Sequence, residues 1–106
     1  MGLTKTDIYT DEQNRIASIA KVIGHPARVA ILQHLIKTQS CICGEIVDEI
    51  GLSQPTISQH LREMKSIGLI KGEVDGTKVC YCIDSAVFKE IRNTFANIFE
   101  QEVSTC

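Results

Sequence analysis

Five cysteines stand at positions 41, 43, 80, 82 and 106 of a 106-residue chain, and four of them form two Cys-x-Cys pairs. Thiolates are soft ligands for ions such as zinc, cadmium and copper(I), and oxidants convert them to disulfides. We expect Cys41 and Cys43 to form the principal thiol site, with Cys80, Cys82 and Cys106 as additional candidate ligands. The alternative is that several of these side chains are small, inert hydrophobes.

The remaining composition narrows the class of protein. The odd number of cysteines argues against a secreted disulfide framework. No apolar run approaches about 18 residues, which excludes a membrane span, and the polar first ten residues lack a signal-peptide core. We therefore expect a cytoplasmic protein. It is not expected to be an enzyme, because it has no Cys-x-x-Cys, no glycine-rich phosphate loop and no His–carboxylate pair placed to activate a nucleophile.

Hydrophobic spacing predicts the helices that must position the cysteines. Apolar residues recur at helical spacing from Asp11 to Gly24, and Pro26 opens a second helix. A short third helix is predicted around residues 44–50, where Gly51 ends it. Ser53 is the predicted N-cap of the next helix, its hydroxyl accepting from a first-turn N–H.

After Gly68 the spacing of apolar residues changes from the helical period of 3.6 to the strand period of 2. Strands are predicted at 69–74 and 77–83, with Asp75-Gly76 as a two-residue hairpin turn, and a last helix begins after Asp84-Ser85. In the second strand Lys78, Cys80 and Cys82 share one face. The predicted fold is mainly α with a two-stranded β-wing, in the order α-α-α-α-β-β-α. Residues 1–10 are expected to form a flexible arm, 11–101 one domain and 102–106 a tail.

Two helices joined by a turn of about three residues, followed by a hairpin, are typical of a winged helix-turn-helix. The second of these helices would lie in the major groove of a double-stranded DNA operator. We expect base contacts from small hydroxyl and amide side chains and phosphate contacts from basic ones. The candidate DNA-binding residues are Ser53, Gln54, Thr56, Ser58, Gln59, Arg62, Lys65 and Lys78. Residues 51–83 hold four basic and three acidic residues, although the chain carries a net charge of −2.

Several segments together resemble the ArsR/SmtB family of metal-responsive winged-helix repressors. They are His25-Pro26-Ala27-Arg28, Cys41-Ile42-Cys43-Gly44-Glu45-Ile46, Ser53-Gln54-Pro55-Thr56-Ile57-Ser58-Gln59-His60-Leu61, Gly68-Leu69-Ile70, Asp75-Gly76 and Val79-Cys80-Tyr81. The resemblance covers about residues 12–100. It implies a homodimer built on the first and last helices, which represses its operator until an inducer binds.

The first and last helices support dimerisation independently, because the apolar stripe of the last helix is long and aromatic and has the spacing of a helix–helix seam. The expected interface residues are Ile16, Ile19, Phe88, Ile91, Phe95, Ile98 and Phe99. The alternative is that this stripe merely covers its own domain. Two copies would present two recognition helices to two half-sites.

Two forms of control follow from the cysteines. The resemblance implies that a thiophilic ion such as As(III), Cd(II) or Zn(II) binds Cys41 and Cys43 and releases the DNA, with no obligatory cofactor. Arsenite-sensing relatives carry a third cysteine where this chain has Ile46, so a further ligand would come from elsewhere. The alternative is the same repressor controlled by thiol oxidation or reactive sulfur, with Cys41 or Cys43 paired to Cys80 or Cys82, or a repressor without a small inducer.

Overall fold

The computed structural model describes residues 8–39, 41, 50–75 and 78–105. In this part of the chain the elements, in order, are α1 (Asp11–Ile23), α2 (Pro26–Thr38), α3 (Gln54–Ser66), β1 (Ile70–Asp75), β2 (Lys78–Ile83) and α4 (Ser85–Phe99). The helix expected around residues 44–50 lies outside the described residues, apart from Ile50. No helix in the described ranges has both the length and the apolar character needed to cross a bilayer.

Local side-chain bonds fix where the helices begin. Thr10 and Gln13 form a reciprocal capping box at α1, with both bonds 3.0 Å long. The Nδ1 of His25 accepts from the N–H of Ala27 at the start of α2, beside Pro26. The carboxylate of Asp84 accepts from the N–H groups of Ala86 and Val87 in the first turn of α4. These bonds satisfy donors that have no partner within the helix.

Ser53 is the N-cap of α3 as predicted, but its predicted capping bond is absent. The hydroxyl instead lies 3.0 Å from the Oγ1 of Thr56. The two hydroxyls satisfy each other, so the first-turn N–H groups stay available at the end of the helix that is expected to face DNA.

The hairpin is an antiparallel pair whose turn lies one residue later than predicted, so that each residue of β1 pairs with a residue two positions further along β2 than expected. Asp75 pairs with Lys78, so the connecting residues are Gly76 and Thr77, not Asp75 and Gly76. In this register Lys71 lies opposite Cys82 and Glu73 lies opposite Cys80. Directly opposed residues project from the same face of a sheet, so these four side chains share one face of the wing.

One apolar core joins the helices to the hairpin. Its buried members are Ile19, Ile31, Leu35, Ile57, Leu61, Met64, Leu69, Ile70 and Ile91. The core therefore takes side chains from all four helices and from β1. The helix α3 packs on α1 and α2 and is followed directly by the β-hairpin, as in a winged helix-turn-helix.

Candidate DNA-reading surface and cysteine cluster

The two sides of α3 are sharply separated. Ile57, His60, Leu61 and Met64 are buried against the core. The side chains that the sequence assigned to DNA lie on the opposite side: Gln54, Thr56, Gln59, Arg62 and Lys65 are exposed, as is Ser53 at the cap, and Ser58 is half-buried. Lys78 begins β2, and its side chain lies outside the described part of the structure.

Hydrogen bonds within α3 arrange this exposed side. The Nε2 of Gln54 donates to Ser58 Oγ at 3.2 Å, and the Nε2 of Gln59 donates to Glu63 Oε1 at 3.3 Å. Arg62 in turn donates to the Oε1 of Gln59. The amide of Gln59 is therefore oriented by one acidic and one basic neighbour, and contact with a base edge would exchange these exposed bonds for bonds to DNA.

A polar link beneath α3 fixes the helix to the N-terminal part of the fold. The Nε of Arg28 donates to His60 Nδ1 at 3.0 Å, and its Nη1 donates to the carbonyl of Val22 at 2.9 Å. The rings of His25 and His60 are 4.5 Å apart. Arg28 thus bridges the end of α1, the start of α2 and the middle of α3.

His60 sits in this link as a neutral acceptor. Its side chain is 8% exposed, and burial, together with the electrostatic effects of His25 and of the Arg28 charge, lowers its pKa below the ordinary value of 6.5. The sequence predicted no link between Arg28 and His60. Arg28 stands out in the sequence only as part of the His25-Pro26-Ala27-Arg28 motif. That motif does not indicate a hydrogen bond to a residue 32 positions further along the chain.

The structure brings two of the predicted thiols together. Cys41 and Cys82 are joined by a disulfide between residues 41 positions apart, with their Cα atoms 4.4 Å from each other. Cys80 and Cys82 are buried on one face of β2, and Cys80 is also disulfide-bonded. Cys43 and Cys106 lie outside the described residues. The bond between Cys41 and Cys82 ties the segment after α2 to the wing.

Glu73 is a neighbour of this pair that sequence reasoning missed. Ligand atoms of Cys41, Glu73 and Cys82 all lie within 4.8 Å of one another. Two sulfurs and one carboxylate oxygen could hold a thiophilic divalent ion once the sulfurs are reduced to thiolates. The signal that could have found Glu73 is the hairpin register, which places it on the cysteine face of the wing.

The predicted dimer residues divide into three groups by burial. Ile19 and Ile91 are buried in the core of this chain, and Ile16, Phe88 and Phe95 are half-buried. Ile98 and Phe99 at the end of α4 are 44% and 77% exposed. Arg15 of α1 and Glu90 of α4 form an exposed ion pair at 3.4 Å, so these two helices lie side by side. The exposed members of the predicted interface therefore lie at the C-terminal end of α4.

Comparison with known proteins identifies the family. The model of "Bacterial regulatory protein, arsR family" matches residues 25–71. The uncharacterized HTH-type transcriptional regulator MJ1325 of Methanocaldococcus jannaschii is 39% identical over 82 residues, covering 76% of this chain and 91% of the relative. The arsenical resistance operon repressor of Staphylococcus aureus is 28% identical over 76 residues, 72% of either chain. The repressor SmtB of Mycobacterium tuberculosis is 36% identical over 63 residues, 59% of this chain and only 46% of SmtB.

Two solved structures share the fold. The transcriptional repressor BigR from Xylella fastidiosa matches with a TM-score of 0.66 and 25% identity, over 94% of this chain and all of that one. The homodimeric winged helix-turn-helix DNA-binding domain of Mb0332 from Mycobacterium bovis matches with a TM-score of 0.67 and 21% identity, over 98% of each chain. These matches confirm the winged helix-turn-helix fold expected from the sequence.

The neutral state of His60 predicts how stability depends on pH. The pKa of His60 is lower in the folded chain than in the unfolded chain, so the unfolded chain takes up the proton first as the pH falls. The free energy of unfolding should be unaffected by His60 above about pH 6.5 and should decrease as the pH falls below it. Chemical denaturation of wild type and His60→Asn between pH 5 and 8 tests this, since asparagine keeps an acceptor but does not titrate. Equal pH slopes in the two proteins would contradict the assignment.

Proposed function

Because this chain belongs to the ArsR family and is a DNA-binding transcriptional repressor of that family, we propose that it binds its operator as a homodimer under the control of thiol oxidation at Cys41 and Cys82. One observation carries the proposal. The Cys41–Cys82 bond joins the segment after α2 to the wing, the two parts of the chain that flank the proposed reading helix α3 in sequence.

In this proposal α3 enters the major groove with its exposed side toward the bases. Gln54, Thr56, Ser58 and Gln59 contact base edges, because amides and hydroxyls both donate and accept hydrogen bonds there. Arg62 and Lys65 on the helix contact phosphates. Ser53 and Lys78 complete the contacts at the helix start and on the wing. The separation of these residues from the buried side of α3 supports the assignment.

The homodimer is proposed to form through α1 and α4. Large apolar side chains remain uncovered near the ends of these helices: Ile8 is 68%, Phe99 77% and Val103 81% exposed. A partner would bury them, whereas Ile19 and Ile91 are better assigned to the core of each protomer. The homodimeric Mb0332 domain, which has the same fold, is consistent with this arrangement.

Oxidation converts the two thiols of Cys41 and Cys82 to the disulfide, and the oxidant takes up two electrons and two protons. The bond then fixes the distance between the segment after α2 and β2. If α3 and the wing must adjust their relative position to fit the groove, that adjustment is lost in the oxidised protein. On that condition we propose that the reduced dimer holds the operator and the oxidised dimer releases it.

Release by a thiophilic metal or metalloid is a second candidate function, with As(III), Cd(II) and Zn(II) as candidate ions. It is favoured by the ligand atoms of Cys41, Glu73 and Cys82, which lie within 4.8 Å of one another. This set shares only Cys41 with the predicted Cys41–Cys43 pair, and Cys43 stays a candidate ligand. The arsenical resistance operon repressor among the relatives supports an ion of this class. An ion would require the reduced thiolates, because disulfide sulfurs carry no charge.

The groove assignment predicts that Gln59→Ala combined with Arg62→Ala weakens operator binding about tenfold or more, because one good base contact and one phosphate contact are removed. Gln33→Ala combined with Lys37→Ala is the matched control, since these exposed residues have a similar chemistry on α2. Fluorescence anisotropy with operator DNA measures both. A folded Gln59/Arg62 variant that binds as tightly as the control would refute the assignment.

The thiol proposal predicts that diamide lowers the operator affinity of wild type about tenfold, within the usual range of coupling between two sites. Cys82→Ser should bind equally well before and after diamide, and Glu73→Gln should respond like wild type. Peptide mapping verifies the Cys41–Cys82 bond. If wild type in which this bond is verified binds the operator as tightly as the reduced protein, the redox mechanism is refuted. The second candidate function predicts a different result. Cadmium or arsenite should then release the reduced wild-type protein from DNA, and neither ion should release Cys82→Ser or Glu73→Gln.

The proposed interface predicts that Phe99→Glu yields monomers, because a charge would replace a 77% exposed aromatic side chain at the seam. Val79→Glu is the control, since Val79 is a 49% exposed apolar residue on the wing. Light scattering should give the 11.7 kDa mass for Phe99→Glu and twice that mass for wild type and control. A dimeric Phe99→Glu protein would place the interface elsewhere.

A further inference from the structure

A cavity of about 410 Å³ lies against the Cys41–Cys82 bond. It is enclosed by the end of α2, the end of β2 and the start of α4. Its lining residues are Leu35, Ile36, Gln39, Cys41, Cys82, Ile83, Ser85 and Phe88. The volume is within the range of pockets that hold small organic molecules. The disulfide that is proposed to control DNA binding therefore forms part of the wall of a ligand-sized space.

The chemistry of the wall selects against polar and ionic ligands. Four of the lining side chains are aliphatic or aromatic, and none of the lining residues carries a formal charge. Of the two polar residues, Gln39 already donates its Nε2 to the carbonyl of Ile36 at 2.6 Å. The hydroxyl of Ser85 is the remaining polar side chain. A compatible ligand thus has an apolar body and a small polar end.

The two sulfurs differ in access. Cys82 is 8% exposed, whereas Cys41 is exposed on the segment after α2. In the reduced protein Cys41 is therefore the thiol that a reagent can reach first, and Cys82 is held close enough to react second. A reagent bound in the cavity would place its reactive end near Cys41, and its apolar part would contact the aliphatic lining side chains.

We propose that the cavity binds the apolar body of a small organic hydroperoxide and that this compound class is the oxidant of the switch, a proposal that rests on the thiol control described above. The Cys41 thiolate attacks the terminal peroxide oxygen, the O–O bond breaks, and the alkoxide leaves as the alcohol after taking a proton. Cys41 is then a sulfenic acid. The Cys82 thiol attacks its sulfur, the S–S bond forms, and the oxygen leaves as water. Two thiols and one hydroperoxide thus give one disulfide, one alcohol and one water.

The apolar wall predicts selectivity. Burial of one methylene group improves binding about fourfold, and hydrogen peroxide has no such group. Cumene hydroperoxide should therefore form the Cys41–Cys82 disulfide at least about tenfold faster than hydrogen peroxide, after each rate is divided by the rate of the same oxidant with glutathione. The measurement uses the reduced full chain and stopped-flow reaction with quantification of the disulfide by peptide mapping.

A matched pair of variants tests the role of the cavity. Ile36 lines it and is 37% exposed, whereas Val29 lies on the same helix, is 42% exposed and does not line it. Ile36→Gln should slow the reaction with cumene hydroperoxide about fivefold or more and leave that with hydrogen peroxide within about twofold, because an amide replaces apolar wall. Val29→Gln should leave both rates unchanged, and circular dichroism verifies that both variants are folded.

The outcomes separate the two proposals. Equal normalised rates for the two oxidants in wild type, or an undiminished preference in Ile36→Gln, would overturn the cavity proposal while leaving thiol control in place. Failure of cumene hydroperoxide, hydrogen peroxide and diamide alike to form the Cys41–Cys82 bond would overturn both.

Discussion

The reading surface depends on the burial of one apolar stripe of α3. Ile57, Leu61 and Met64 are almost completely buried, at 0–2% exposure, and they hold the helix against the core. A helix of 3.6 residues per turn that buries this stripe must present the opposite side to solvent. Loss of one such side chain would cost about 2–5 kcal/mol in stability. The same packing that stabilises the domain therefore fixes which residues can face DNA.

The polar link at His60 adds a directional constraint to this apolar packing. Apolar contact allows a helix to slide or rotate slightly, whereas the bonds from Arg28 to His60 and to the carbonyl of Val22 require particular distances. This buried link is favourable only while the Nδ1 of His60 is unprotonated. Protonation would place a second cation beside Arg28, and two hydrogen-bond donors would then face each other. The orientation of α3 relative to α1 and α2 is thus set by one guanidinium.

Patterns of short range predicted most of the fold. The helix starts at Thr10, His25 and Asp84 depend on neighbours two or three residues away, and the apolar periodicity lies within single helices. The reading side of α3 was predictable for the same reason, since burial of its apolar stripe determines the rest. The hairpin was placed correctly to within one residue, because Asp-Gly is a strong turn signal but the choice of paired residues is made by the strands.

Contacts between distant segments were not predictable to the same extent. The partner of Arg28 and the position of Glu73 depend on tertiary packing, and neither residue is distinguished by its local sequence. The dimer residues show the same limit. The apolar stripes of the first and last helices predicted all seven of them equally, yet Ile19 and Ile91 pack inside their own chain and Phe99 does not. Periodicity identifies an apolar face but not which part of that face the domain itself covers.

The Cys41–Cys82 bond acts on the fold and on DNA binding in different ways. Closing a loop of this length restricts the unfolded chain and stabilises the fold by about 4 kcal/mol in the chain-entropy model. That term is the same for the free and the DNA-bound protein, so it cannot change operator affinity. Affinity changes only if the bound arrangement requires a different separation of Cys41 and Cys82. The same sulfurs cannot hold an ion while they are bonded to each other, so the proposed oxidation and the proposed ion binding exclude each other at this site, and the reducing power of the surroundings would decide which of the two the repressor could sense.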